Sequence, residues 1–104
     1  MVLTFQEKKH LLLLARFAIE SRFSPEITEP KSNGDLIILQ SKSGAFVTLT
    51  IDKKLRGCIG FVQSDQELSR TIMEAAYQSA FHDPRFAPLS EEEYPNISIA
   101  KLRS

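Results

Sequence analysis

The 104-residue sequence predicts an α+β domain, a mainly antiparallel sheet flanked by helices. Two stretches, opening at Thr4 and at Ser64, combine helix-start chemistry with apolar residues at helical spacing. Residues 36–40, 45–51 and 55–62 are rich in β-formers and broken by short polar turns, and residues 96–102 alternate apolar with polar.

The first helix is expected over residues 5–21. Thr4 and Glu7 fit a capping box, in which the hydroxyl and the carboxylate three residues later satisfy backbone amides at the helix start. Leu11, Leu14, Ala15, Ala18 and Ile19 form the apolar stripe. Leu12, Leu13 and Phe17 widen it beyond one face, so this helix is expected to touch structure on two sides. Residues 24–34 hold Pro25, Pro30 and the Asn33–Gly34 pair and read as a loop.

Residues 36–40 and 45–51 are expected to pair as a hairpin through Ser41-Lys42-Ser43-Gly44. Alternation puts Val47, Leu49 and Ile51 on the core face, with Phe46, Thr48 and Thr50 opposite. After a polar turn at Asp52-Lys53-Lys54, residues 55–62 form the third expected strand. Ser64 and Glu67 suggest a second capping box. It would open a helix to about Ala80 with Leu68, Ile72, Ala75, Ala76 and Ser79 along one stripe, whose small residues permit close packing on a sheet. Pro84 ends that helix near His82, because the residue before proline avoids helical geometry. Ser90 to Glu93 suggest a helical turn, and in the last strand Ile97 and Ile99 face one way.

Apolar residues at 42% and charged residues at 25% match a packed soluble domain, and the length suits a single domain over 1–104. Thirteen cations balance thirteen anions, so nucleic-acid binding is not expected unless charges segregate onto faces. One cysteine cannot make an internal disulfide, the longest unbroken apolar run covers only residues 11–15, and no secretory leader is evident. A cytoplasmic protein without membrane spans is the expectation. Cysteine and histidine are not spaced as zinc ligands, and neither a Walker nor a Rossmann glycine run occurs. No metal and no cofactor are therefore predicted.

The segment with chemical promise is Leu55-Arg56-Gly57-Cys58-Ile59-Gly60. In a strict strand Arg56 and Cys58 share a face, with side chains about 6.5 to 7 Å apart, close enough for the guanidinium to favour the thiolate. Cys58 is thus the candidate nucleophile or redox group, and Arg56 the group that lowers its pKa or binds an anion. Gly57 and Gly60 would let a ligand or another backbone come close to accessible amides. The competing reading makes Cys58 a small buried hydrophobe and the glycines packing devices. His82, Asp83 and Arg85 form a second polar cluster, read either as the far wall of a cleft or as a helix exit with an Asp83–Arg85 pair and a solvated His82.

Taken in order, Gly44-Ala45-Phe46-Val47-Thr48-Leu49, Leu55-Arg56-Gly57-Cys58-Ile59-Gly60, Ala75-Ala76 and Asp83-Pro84-Arg85-Phe86 resemble the AMMECR domain family. The resemblance implies an α+β fold with a cleft near the glycine-cysteine segment, beside which the residues themselves offer Gly57, Gly60, Asp83 and Arg85 as candidate ligand-binding groups. Its members have no established general activity. Their occurrence beside Memo-like and radical SAM proteins, the AmmeMemoRadiSam system, implies a role in a modification or redox pathway. The function left open is a Cys-dependent enzyme or pathway component, or alternatively a non-catalytic binding or adaptor module for a protein or small ligand. Relatives continue past the point where residues 100–104 end, so the chain is expected to be the first part of the family domain. Its open edges would then be covered by a second copy or by a separately encoded partner.

Overall fold

The structure, a computed structural model, describes residues 3–31 and 37–103. Helix α1 (Phe5–Glu20) starts at the expected capping box: the Glu7 amide donates to Thr4 Oγ1 at 3.1 Å, and the Thr4 amide to Glu7 Oε1 at 2.7 Å. Leu11, Leu14, Ala15, Ala18 and Ile19 are its buried residues. Leu12 and Phe17 are half-buried against the core, whereas Leu13 stays 49% exposed, so the widened stripe is covered only in part.

The expected hairpin partner of residues 45–51 is corrected. Ile37–Gln40 is a 3-10 helix, and Leu36, like Asn33 and Gly34, lies outside the described residues. The cause is competition for edges. Strand β1 (Ala45–Ile51) is the central strand of the sheet, flanked by β2 (Lys54–Phe61) and β3 (Ile97–Arg103) in the antiparallel order β2-β1-β3. Neither edge of β1 is left for residues 37–40. The chain before β1 is held instead by the start of the second helix, where the Leu68 amide donates to the Ser41 carbonyl at 2.8 Å and Lys42 bridges to Glu67.

The true hairpin is β1–β2, closed by Asp52 and Lys53 with φ of 52° and 67°. Positive φ at both central turn residues matches the right-handed strand twist, which is why such turns join two-residue hairpins. β1 keeps the expected alternation, burying Ala45, Val47 and Leu49. Its neighbours do not alternate strictly. A bulge inserts Arg56 between Leu55, which faces Thr50, and Gly57, which faces Leu49. A second inserts Ala100 between Ile99, which faces Leu49, and Lys101, which faces Thr48. An extra residue shifts the phase of a strand, so β3 buries Ile97 and Leu102, with Ile99 half-buried.

Helix α2 (Leu68–Phe81) packs its expected stripe of Leu68, Ile72, Ala75, Ala76 and Ser79 into the core. The capping box expected at Ser64 does not form. The Ser64 hydroxyl accepts from the Gln66 amide and the Thr71 hydroxyl, and Glu67 precedes the helix without a side-chain cap, the Ser41 carbonyl taking the Leu68 amide instead. A reciprocal box does form at Ser90 and Glu93: the Ser90 amide donates to Glu93 Oε1 at 3.0 Å and the Glu93 amide to Ser90 Oγ at 3.2 Å. It leads into the short 3-10 turn Tyr94–Asn96. No helix among the described residues is long and apolar enough to cross a membrane.

Candidate functional site

β2 carries the glycine-cysteine segment along an edge of the sheet, and α2 covers only one of the sheet's faces. Gly57 lies on the covered face. A Cβ at Gly57 would overlap the Ser79 carbonyl oxygen and sit 2.9 Å from the Ser79 carbonyl carbon, so helix and strand touch backbone to backbone. That approach is possible only for glycine. Ser79 completes the junction: its hydroxyl accepts from the Ile59 amide at 2.8 Å and lies 2.7 Å from the Ala75 carbonyl and 3.0 Å from that of Val47.

Cys58, one residue on, faces the open side. Its thiol is half-buried, with Sγ 3.2 Å from Oγ1 of its cross-strand partner Thr48. Gly60, opposite Phe46, gives its space to the Phe46 ring, which a Cβ would penetrate. An aromatic laid over a cross-strand glycine covers backbone that the glycine leaves bare. Phe46 remains 45% exposed.

Asp83 ties this strand to the exit of α2. Its Oδ2 accepts from the Cys58 amide at 3.0 Å and from Arg85 Nη2 at 2.7 Å, while Oδ1 accepts from the Arg85 amide at 3.0 Å and from Arg85 Nε at 3.1 Å. The Arg85 guanidinium bonded to it, aided by the Arg85 and Cys58 amides, holds the Asp83 carboxyl far below the usual carboxylate range against the opposing effect of burial. The same bond raises Arg85. Asp83 is thus a buried anion, its side chain 2% exposed, whose charge is balanced by an Arg85 side chain that is 55% exposed.

Arg56 is engaged elsewhere. The bulge breaks the alternation that would place it beside Cys58. Its Nε and Nη2 hold the Glu93 carboxylate at 2.9 and 3.0 Å, Nη2 also donates to the Ala87 carbonyl at 2.8 Å, and the guanidinium lies over Phe86. The side chain is 12% exposed, and its remaining nitrogen, Nη1, is buried without a partner. Arg56 brings Glu93 down to about 2, with the Ser90 amide as the next contribution. Arg85 reaches the cysteine from the neighbouring loop, its Nη2 3.4 Å from the Cys58 carbonyl oxygen.

The arrangement constrains the chemistry. The Cys58 and Ile59 amides already donate to Asp83 and Ser79, so neither waits for a developing oxyanion. His82, exposed at the end of α2, has its ring 5.8 Å from Tyr77. His10 lines a different cavity of about 360 Å³, shared with Leu14, Glu29, Lys31, Leu39 and Glu67, which Cys58 does not line. Among the described residues no group of three His, Cys, Asp or Glu side chains is placed to hold a metal ion. Sequence reasoning missed Thr48, Ser79 and Glu93. Only Glu93 left a signal, its spacing of three from Ser90.

The AMMECR1 family model matches residues 12–100. An uncharacterised protein of Methanosarcina barkeri is 41% identical over 101 residues, covering 94% of this chain and 50% of the relative. One from Methanothermobacter thermautotrophicus is 36% identical over 99 residues, covering 93% and 50%. The crystal structure of an uncharacterised protein from Pyrococcus horikoshii superposes with a TM-score of 0.71 at 37% identity, covering 84% of this chain and 45% of that one. The chain therefore spans about half the length of the relatives it matches.

Proposed function

The chain belongs to the AMMECR1 family, and from that premise we propose that it is a binding module whose ligand sits on the open sheet face around Cys58 and Thr48. The observation that carries the reading is the double commitment of the glycine-cysteine strand. Asp83 and Ser79 take its amides and Glu93 takes Arg56, which leaves Cys58, Thr48 and the Phe46 ring facing outward on rigid backbone. Groups fixed on a strand and supported by a second layer of hydrogen bonds suit recognition. Acyl transfer at Cys58 would need a free amide pair and a neighbouring base.

A second reading keeps thiol chemistry, because Arg85 Nη2 lies 3.4 Å from the Cys58 carbonyl oxygen and brings a half-exposed cation beside the cysteine. Two measurements separate the readings. Amide-detected NMR with a fragment library of mixed charge should cluster its shifts on Phe46, Thr48, Cys58 and Lys101; hits scattered elsewhere would end the binding reading. Iodoacetamide should alkylate Cys58 at about pH 7 no faster than it alkylates free cysteine, and a rate more than about tenfold higher would favour thiol chemistry instead.

A further inference from the structure

The strands divide their charge unevenly. β1, β2 and β3 contain Lys54, Arg56, Lys101 and Arg103 and no aspartate or glutamate, in a chain with thirteen charges of each sign. Directly paired residues share a face of an antiparallel sheet. Gly60, Phe46 and Arg103 therefore form one row across the open face, and Cys58, Thr48 and Lys101 the next. Lys101 and Arg103 are exposed along β3. At the opposite edge Arg85 turns its guanidinium to solvent while its partner Asp83 is buried. Of the carboxylates near these strands, Asp83 and Glu93 are each already bound by an arginine, and Asp52 lies in the β1–β2 turn, at the other end of the hairpin from the Phe46–Gly60 pair. What this face presents to water is Lys101 and Arg103 along β3 and, at the β2 edge, the exposed side of an arginine already paired with Asp83, with a hydroxyl, a thiol and an aromatic ring between them.

Resting on the binding-module reading, we infer that the ligand of this face is a small phosphate ester bearing a planar ring. Neighbouring strands lie about 4.8 Å apart, so the two outer strands are about 10 Å apart, a span that long basic side chains close onto one small molecule. The phosphate is taken by Lys101 and Arg103 in charge-assisted hydrogen bonds, with the Thr48 hydroxyl beneath it. The ring stacks on the free side of Phe46, whose other side rests on Gly60. With thirteen cations against thirteen anions, no field of the whole chain collects anions, so the discrimination is local to this face.

The test titrates the 104-residue chain with phenyl phosphate, adenosine monophosphate and inorganic phosphate, following backbone amide shifts. Expected are shifts at Phe46, Thr48, Cys58 and Lys101, with both esters binding about tenfold more tightly than inorganic phosphate. The double substitution Lys101→Ala, Arg103→Ala, both at exposed positions, should weaken the esters about tenfold or more, and Phe46→Leu about threefold. Ester affinity indifferent to the double substitution overturns the inference. So does silence toward esters at about 10 mM while neutral fragments still perturb the same amides, which leaves the binding reading standing. Silence toward esters and fragments alike overturns both. An octathymidylate binding about a hundredfold more tightly than the mononucleotide would replace the small ester with a nucleic-acid strand.

Discussion

Replacing Asp83 with alanine tests the frame on which the site is built. The substitution removes one acceptor from the Cys58 amide, one from the Arg85 amide and two contacts to the Arg85 guanidinium. Arg85 is exposed, so its amide and guanidinium turn to water and their loss counts for little. The Cys58 amide has no such escape, and an unsatisfied buried donor costs about 1–3 kcal/mol. Losing the turn that Asp83 organises adds about 1 kcal/mol, by analogy with other short side chain to backbone caps. The expected sum is about 2–4 kcal/mol, or roughly 10–25 °C in Tm for a domain of this size. Asp83→Asn keeps one carbonyl oxygen for the Cys58 amide and should lose about half as much. Urea unfolding followed by circular dichroism measures both variants at pH 7 and at pH 3. The pH dependence has a definite sign. Asp83 is depressed below its ordinary value of 3.8, so its stabilisation is fully present above about pH 4 and is lost as the solution is acidified below that. The parent should therefore lose stability more steeply than either variant below pH 4. A loss for Asp83→Ala under about 0.5 kcal/mol at pH 7, or identical acid slopes in parent and variant, would refute the reasoning.

Gly57→Ala forces a methyl into the Ser79 backbone, which cannot rotate away, and should cost about 2–4 kcal/mol in the same unfolding assay; Gly60→Ala meets only the Phe46 ring and should cost less. Equal losses at the two positions would show that the backbone contact at Gly57 does not govern. Arg56→Lys removes the two-pronged grip on Glu93, so the Glu93 carboxyl, now near 2, should titrate closer to its ordinary 4.5 when followed by carboxyl-carbon NMR. An unmoved Glu93 titration would sink that assignment.

Much of the fold was legible because periodicity and capping act locally. The stripe of α1, the Thr4–Glu7 box, the stripe of α2 and the alternation of β1 each follow from residues within a few positions of one another. The fate of residues 37–40 was not legible. β-propensity says that a segment can pair but not whether an edge is free, and both edges of β1 are taken by β2 and by a strand some fifty residues later in sequence. Ser64 misled for a related reason: a distant carbonyl, that of Ser41, satisfies the first turn of α2 and leaves the local cap unused.

The candidate residues were legible as a set, but their partners were not. Arg56, Gly57, Cys58, Gly60, Asp83 and Arg85 do gather in one region, through Asp83 on the Cys58 amide and Arg85 near the Cys58 carbonyl. The pairing of Arg56 with Cys58 assumed an unbroken strand, and no residue type in Leu55-Arg56-Gly57 marks where an extra residue enters the ladder. Glu93, thirty-seven positions from Arg56, could be found only through the fold.

The two bulges give this sheet a reading frame. Because Arg56 and Ala100 each occupy an uncounted beat opposite the central strand, each bulge absorbs one residue and lets those after it keep their proper faces. Exchanging Ala100 for another small residue leaves the frame intact. Deleting it would leave Ile99, Lys101 and Leu102 opposite Leu49, Thr48 and Val47 in unbroken alternation, whereas a second residue inserted beside it and not absorbed would turn Lys101 toward the core and Leu102 toward water, a frameshift written in geometry rather than in codons. Drift along β3 is thus free to change letters, or to drop the extra one, but not to add another.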